Sequence, residues 1–328
     1  MSGVEQRSVA QDEADLRLDR WFRRHFPDLP HGQLEKLLRT GKVRIDGKRA
    51  KANLRLNPGQ TIRIPPIAAS EAAKPARKTP HRIGAQDAAW LQSLVLHRDE
   101  DIIVIDKPPG LAAQGGTGIV RSLDGMLDAL RFGSADRPRL VHRLDRDTSG
   151  VMVLARSASV AARLAEAFRT RAVRKLYWAL VVGVPRPHRG RVDLPLAKVQ
   201  GAQGERVVED DDAGKRAVTD YSVVDHAGKK AAWLSLEPLT GRTHQLRVHC
   251  LSLGTPILGD GKYGGLQAFL SGVFSRDLHL HARAIVLPRP DGAALTVRAA
   301  LPAHMRQTWD FFGFDAEAAE NQLSEGIN

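Results

Sequence analysis

Cysteine is nearly absent: Cys250 is the one thiol among 328 residues. An internal disulfide is therefore excluded, and a reducing compartment is expected. Long hydrophobic runs are missing as well. The longest, such as IIVI at 102–105 and ALVV at 179–182, are far too short to cross a bilayer. The opening MSGVEQRSVAQDEADLRLDR has none of the apolar stretch that a secretory signal needs. No membrane association and a cytoplasmic location are the expectations. No P-loop is present and no GxGxxG follows a strand, so nucleotide hydrolysis and dinucleotide redox chemistry lack support. His244, His249, Cys250, His279 and His281 are candidate metal ligands, yet no HExxH, cysteine pair or carboxylate-rich pattern accompanies them. No metal is expected.

What the chain has is globular composition and positive charge. Hydrophobic residues make up 42%, and the length suits one large domain plus a small one. The formal net charge is +12, and residues 1–80 hold 17 Lys/Arg against 9 Asp/Glu. A positive end suits a polyanionic partner, nucleic acid above all; a solvated face that aids solubility accounts for the same numbers.

Residues 1–15 are expected to be disordered, and residues 16–67 to form a small α/β unit. In LDRWFRRHFP, Leu18, Trp21, Phe22 and Phe26 recur near helical spacing before Pro27 and Pro30. GQLEKLLRTG sets Leu34, Leu37 and Leu38 on one helical face and ends at Gly41. VRIDGKRA alternates as a strand and turns at Asp46-Gly47. NPGQTIRIPP then gives a tight turn and a short strand. This order gathers Arg39, Lys42, Arg44, Lys48, Arg49 and Lys51 near one junction, a shape suited to phosphate. Residues 68–93 are assigned to a linker, Ala/Pro/Lys-rich over 68–80. Residues 94–314 form a second domain, and 315–328 a polar, acidic tail.

In the second domain, SVAARLAEAFRTR reads as an amphipathic helix with Val160, Leu164, Ala167 and Phe168 inward and Ser159 as N-cap. KLYWALVVG reads as a strand with Tyr177, Ala179 and Val181 on one face. THQLRVHCLSLG reads as a helix with Leu246, Cys250 and Leu253 inward, and HLHARAIVLPRP and ALTVRAALP as paired strands. Strands and helices mixed in this way favour an α+β fold on a mixed, mostly antiparallel sheet with flanking helices.

Three segments carry groups that do chemistry. VHRLDRDTSGVMVLA is a charged loop, with His142, Arg143, Asp145, Arg146 and Asp147, that runs into an apolar strand. A carboxylate there is positioned by a rigid element, which suits catalysis; a loop ion-pair network uses the same residues. Tyr177 follows Lys175 in a strand, where a tyrosine is commonly a packing residue with its hydroxyl at the edge. In GRTHQLRVHC, Arg242 precedes a helix and keeps its charge beside a buried carboxylate, or is simply a surface arginine.

Taken together, these segments resemble the bacterial pseudouridine synthases of large-subunit ribosomal RNA. The carrying motifs are VHRLDRDTSG (141–150), RKLYWALVVG (174–183), GRTHQLRVHCLSLGTPILGD (241–260) and LHLHARAIVLPRP (278–290), with IVIDKPPGLAAQGGTG (103–118) and GKRAVTDYSVV (214–224) also matching. Residues 16–67 resemble the small RNA-binding domain named after ribosomal small-subunit protein four. They depart from it at His31-Gly32, where a Ser-Arg pair is common. That domain, the IPP at 64–66 and the QGGTG after the KPPG turn are most similar to the synthase C branch, which modifies 23S ribosomal RNA.

The resemblance implies a pseudouridine synthase fold and isomerisation of uridine without a cofactor. Asp145 matches the essential aspartate, and Arg242 the arginine that pairs with it. Tyr177 matches the active-site tyrosine, Leu246 an apolar pocket wall, and Arg143, next to His142, the group that fills the stack when a base is flipped out. Arg39, Lys42, Arg44, Lys48 and Lys51, together with Lys107 of the KPPG turn, are expected to meet RNA. The implied partner is 23S ribosomal RNA or a large-subunit precursor, met by a monomer. A non-catalytic ribosome-assembly factor on the same fold, or a synthase acting on transfer RNA, are the alternatives.

Overall fold

In the computed structural model, which describes residues 4–27, 29–66, 84–116, 119, 121–201, 204–289 and 292–317, the chain divides into two units, Met1–Pro80 and His81–Asn328. The small unit contains β1 (Glu5–Ser8), α1 (Leu18–His25), α2 (His31–Arg39), β2 (Arg44–Ile45), β3 (Lys48–Arg49) and β4 (Thr61–Ile64). Its sheet is antiparallel in the order β1-β4-β2-β3. Leu18, Trp21 and Phe22 of α1 share one core with Leu34 and Leu38 of α2 and with Ile45, Ile62 and Ile64 of the sheet. Asp46 and Gly47 both sit at positive φ (49° and 77°), as the tight turn between β2 and β3 requires.

Residues 4–15, expected to be disordered, are built into this unit. β1 pairs with β4 along its whole length. Glu13 is buried and accepts from the Trp21 indole at 2.8 Å and the Ala10 N–H at 3.1 Å, and it bonds His25. Burial opposes that charge, but the bonds to His25, Ala10 and Trp21 hold the Glu13 carboxyl down to about 2. The segment has few apolar residues, so backbone pairing and one buried carboxylate order it, and neither shows as periodicity. The expected linker needs a similar correction. Residues 68–83 lie outside the described residues, but α3 (Ala85–Ser93) is a helix whose Leu91 is fully buried. Its good helix formers were masked by the Ala/Pro/Lys-rich stretch before them. Thr117 and Gly118 of the QGGTG stretch, and the tail beyond residue 317, are also outside the described residues.

The large unit continues with β5 (Val95–Arg98), β6 (Ile102–Lys107), α4 (Leu123–Met126), β7 (Arg139–Leu140), β8 (Ser149–Ala155), α5 (Ala158–Arg169), β9 (Arg174–Val182), β10 (Arg189–Gly201), β11 (Gly204–Glu209), β12 (Lys215–Ala227), β13 (Ala231–Pro238), α6 (Gln245–Ser252), β14 (Leu280–Pro288), β15 (Ala294–Arg298) and α7 (Ala303–Phe312). Nine strands run in the order β11-β10-β12-β13-β9-β14-β8-β6-β5, with β15 on β14 and β7 on β8. Every pairing is antiparallel except β14 with β8. The fold is thus α+β on a mixed, mostly antiparallel sheet. The two faces of β9 bury against different partners. Ala179 and Val181 pack with Leu246 and Cys250 of α6, while Trp178 and Leu180 pack with Met305 and Trp309 of α7. α5 is capped by Ser157, not Ser159, through the Val160 N–H at 3.3 Å. No helix among the described residues is long and apolar enough to cross a membrane.

The parallel join of β8 to β14 depends on one glycine. Gly150 has φ +109°, and a Cβ there would lie 2.2 Å from the Ala282 carbonyl oxygen. Only a residue without a side chain lets the two strands meet at that point, directly after the loop that carries Asp145.

Candidate active site

The loop between β7 and β8 is fixed at several points. Leu144 is buried in the core beneath it, and the Thr148 N–H closes a turn on the Asp145 carbonyl at 3.2 Å. His142 stacks on Phe168 of α5 with ring centroids 4.6 Å apart, and its Nε2 accepts the Val153 N–H of β8 at 2.9 Å. Burial, with Lys175 nearby, pushes His142 down to about 3, so this ring is neutral and pinned. Ser149 Oγ, at the loop's far end, bonds His281 Nδ1 at 2.8 Å. Arg143, one place before Leu144, is exposed. The ion pair that the loop does form joins Arg146 to Asp147 at 3.0 Å. Asp145 stands outside it, half-buried, with the His244 ring nearby, whose Nε2 is 3.9 Å from Oδ2.

Tyr177 comes from β9, registered between Leu236 of β13 and Ala282 of β14. Burial and the Asp145 charge both raise its phenol pKa. Lys175, two residues earlier on the same strand, donates to the Thr240 carbonyl at 3.3 Å. Burial pushes that ammonium down to about 8 against the pull of Glu237.

The third wall is the loop from β13 into α6. Gln245 fastens it: Oε1 accepts from the Thr240 hydroxyl (2.7 Å) and the Arg242 N–H (3.0 Å), while Nε2 donates to the Val218 carbonyl and Thr219 Oγ1, both at 2.9 Å. Leu246 presents a buried apolar surface. Arg247 is buried and bidentate to Asp260 at 2.6 and 2.8 Å, a structural pair.

Asp145, Tyr177, Arg242, His142, Arg143 and Leu246 therefore line one cleft of about 420 Å³, together with Lys175, His244, Gln245 and Phe168. Three expectations do not hold. Arg242 does not pair with Asp145; its Nε donates to the Arg216 carbonyl at 3.3 Å. Lys107 is not available to RNA: it is fully buried, and its ammonium donates to the carbonyls of Pro108 (2.8 Å), Leu111 (2.9 Å) and Arg146 (3.0 Å). In the small unit, Arg39, Lys42, Lys48 and Lys51 are exposed. Arg44 instead braces two turns through the carbonyls of Gly41 and Gly47, at 3.2 and 2.9 Å. Sequence reasoning left His244, Lys175 and Gln245 without a place in this cleft. Lys175 carried a signal, since period two puts it on the Tyr177 face, and His244 and Gln245 stand within three residues of Arg242.

Among the described residues, no group of three His, Cys, Asp or Glu side chains is placed to hold a metal ion. His279 and His281 spend their ring nitrogens on Asp277 O and Thr308 Oγ1, and on Ser149 Oγ and Ala299 O. A larger groove of about 640 Å³ is lined by residues that include Arg174, Arg191, Asp220 and Glu237. Its Arg174 and Arg191 are tied across strands to Glu237 and Asp220, the pattern of a solvated sheet face.

Known proteins share this architecture. The RNA pseudouridylate synthase family matches residues 101–252. The ribosomal large subunit pseudouridine synthase C of Salmonella typhi is 35% identical over 305 residues, 92% of this chain and 94% of that protein. The Escherichia coli K12 protein of the same name is 37% identical over 86% of this chain and 88% of its own length. RNA pseudouridine synthase 4, mitochondrial, of Arabidopsis thaliana is 39% identical over 75% of this chain, which spans 59% of that protein's length. Among solved structures, human RNA pseudouridylate synthase domain containing 4 aligns with a TM-score of 0.57 at 33% identity, over 68% of this chain and 94% of that one.

Proposed function

This chain belongs to the RNA pseudouridylate synthase family, and on that footing we propose that it converts specific uridines of 23S ribosomal RNA to pseudouridine, with Asp145 as the catalytic carboxylate. As an isomerase it needs no co-reactant for the balance of atoms: the bond from N1 to C1′ breaks, the uracil turns, C5 joins C1′, the C5 proton leaves and N1 gains one. Attack by Asp145 on C1′, or removal of the C2′ proton, both require the ionised carboxylate. The observation that carries this reading is the isolation of Asp145. It stands half-buried in the cleft beside Tyr177 and Leu246 while its neighbour Asp147 takes the loop's ion pair.

Tyr177 and Leu246 offer the uracil an aromatic face and an apolar wall. Arg143, exposed at the cleft, fills the stack that the flipped base leaves. Arg242 gives up a long bond to one exposed carbonyl when RNA enters. The exposed Arg39, Lys42, Lys48 and Lys51 of the small unit add phosphate contacts that position the RNA rather than read it. The protein works as a monomer in the cytoplasm, on ribosomal RNA or a large-subunit precursor.

Loss of the C5 proton supplies the test. A 23S transcript labelled with tritium at uracil C5, incubated with the protein and chelator, is expected to release tritium to water in proportion to pseudouridine formed. No release from that transcript, with release from transfer RNA, moves the substrate; no release from either contradicts the reaction.

A further inference from the structure

Among the polar side chains around Asp145, His244 is fixed at both its backbone and its ring. Its backbone lies in the left-handed region (φ 52°, ψ 18°), which costs a residue with a side chain about 1 kcal/mol or more. Nδ1 is 2.7 Å from the Tyr263 hydroxyl, and that oxygen accepts the Val207 N–H at 3.0 Å. Burial raises the Tyr263 pKa, so the phenol keeps its proton. Among the described residues its oxygen has no acceptor in range except His244, so the proton points to Nδ1. The imidazole itself is neutral. Burial lowers its pKa, Asp145 and Asp260 oppose the shift, and Arg247 and Lys262 add to it. A neutral ring that accepts at Nδ1 carries its proton on Nε2, and Nε2 faces Asp145 Oδ2 across 3.9 Å.

That separation is too long for a hydrogen bond, but it accommodates a hydroxyl oxygen about 2.8 Å from both atoms. Whether Asp145 acts at C1′ or at C2′, it brings the neighbouring 2′-hydroxyl to this place. The base oxygens swing away as the uracil turns, whereas the 2′-hydroxyl stays with the sugar. We propose that His244 Nε2–H donates to the 2′-hydroxyl of the target uridine, and so selects ribose over deoxyribose and holds the sugar while the base turns. Tyr263 positions His244 by fixing its tautomer. This inference rests on the pseudouridine synthase reading with Asp145 at its centre.

The test compares two synthetic stem-loops carrying a mapped target uridine, one all-ribose and one with a single 2′-deoxyuridine at that position. In an Asp145→Asn background, where binding is read without turnover, the all-ribose RNA is expected to bind roughly tenfold more tightly. Adding His244→Ala is expected to bring that ratio close to one. His244→Gln, whose amide N–H can reach the Nε2 position, is expected to recover part of it. General damage to the site weakens both RNAs equally and leaves the ratio unchanged, and an unchanged ratio overturns the proposal, as does a ratio of one with His244 in place. Wild-type turnover of the all-ribose stem-loop serves as control: its absence defeats the parent reading, whereas turnover with an unchanged ratio defeats this inference alone.

Discussion

A lysine ammonium taken wholly out of water survives only where fixed acceptors replace the water it loses. Lys107 meets that condition with three carbonyls, one of them Arg146 next to Asp145. Burial still pushes it down to about 8, with Asp147, Asp145 and Asp106 opposing. A lysine beside a Pro-Pro-Gly turn normally lies in solvent, and Lys107 was expected to meet RNA. Its place here is that of a strut under the loop that carries Asp145. Lys107→Met is expected to lower stability by about 3 kcal/mol in urea unfolding and to reduce turnover by slackening the loop. A methionine variant as stable and as active as wild type would remove the strut from the account.

At the scale of elements, the loop that carries Asp145 is held at its exit by a strand contact that tolerates no side chain. Gly150→Ala combines φ +109° with a Cβ driven into the Ala282 carbonyl. It is expected to destabilise the large unit by more than about 3 kcal/mol, seen as a lowered urea midpoint; a midpoint equal to wild type would contradict the tight β8–β14 join. Much around this join was legible in the sequence. Period two in KLYWALVVG placed Ala179 and Val181 on one face, which the fold packs against α6, and period 3.6 placed Val160, Leu164 and Phe168 of α5 inward. The segments holding Asp145, Tyr177 and Arg242 did converge on one cleft. Other features depend on partners far along the chain, such as Ser149 with His281, 132 residues away. Spacing cannot show that Arg242 rests on the Arg216 carbonyl, nor that β1 is ordered by β4.

The whole molecule carries an acid sensitivity that differs between its units. Burial pushes His142 and His281 down to about 3 and His249 and His279 to about 4. Their unfolded values lie near 6.5, so the unfolded chain takes up protons that the folded one refuses. Stability of the large unit is therefore expected to fall as pH drops from about 6.5 towards 4, by about 1.4 kcal/mol per pH unit for each histidine. Glu13 of the small unit, held at about 2 against an ordinary 4.5, contributes above 4.5 and is lost only below it. Urea unfolding followed across this range is expected to show the large unit weakening first; flat stability between pH 6.5 and 4.5 would contradict four neutral imidazoles. The central claim, that the intact chain isomerises uridine through Asp145, has a more direct test. Unmodified 23S RNA is incubated with wild-type protein or with Asp145→Asn, in chelator and without cofactor, and pseudouridines are mapped by carbodiimide treatment and primer extension. New stops with wild type and none with Asp145→Asn are the predicted result. Identical stops with both proteins, or none with either while both bind the RNA equally, would contradict it.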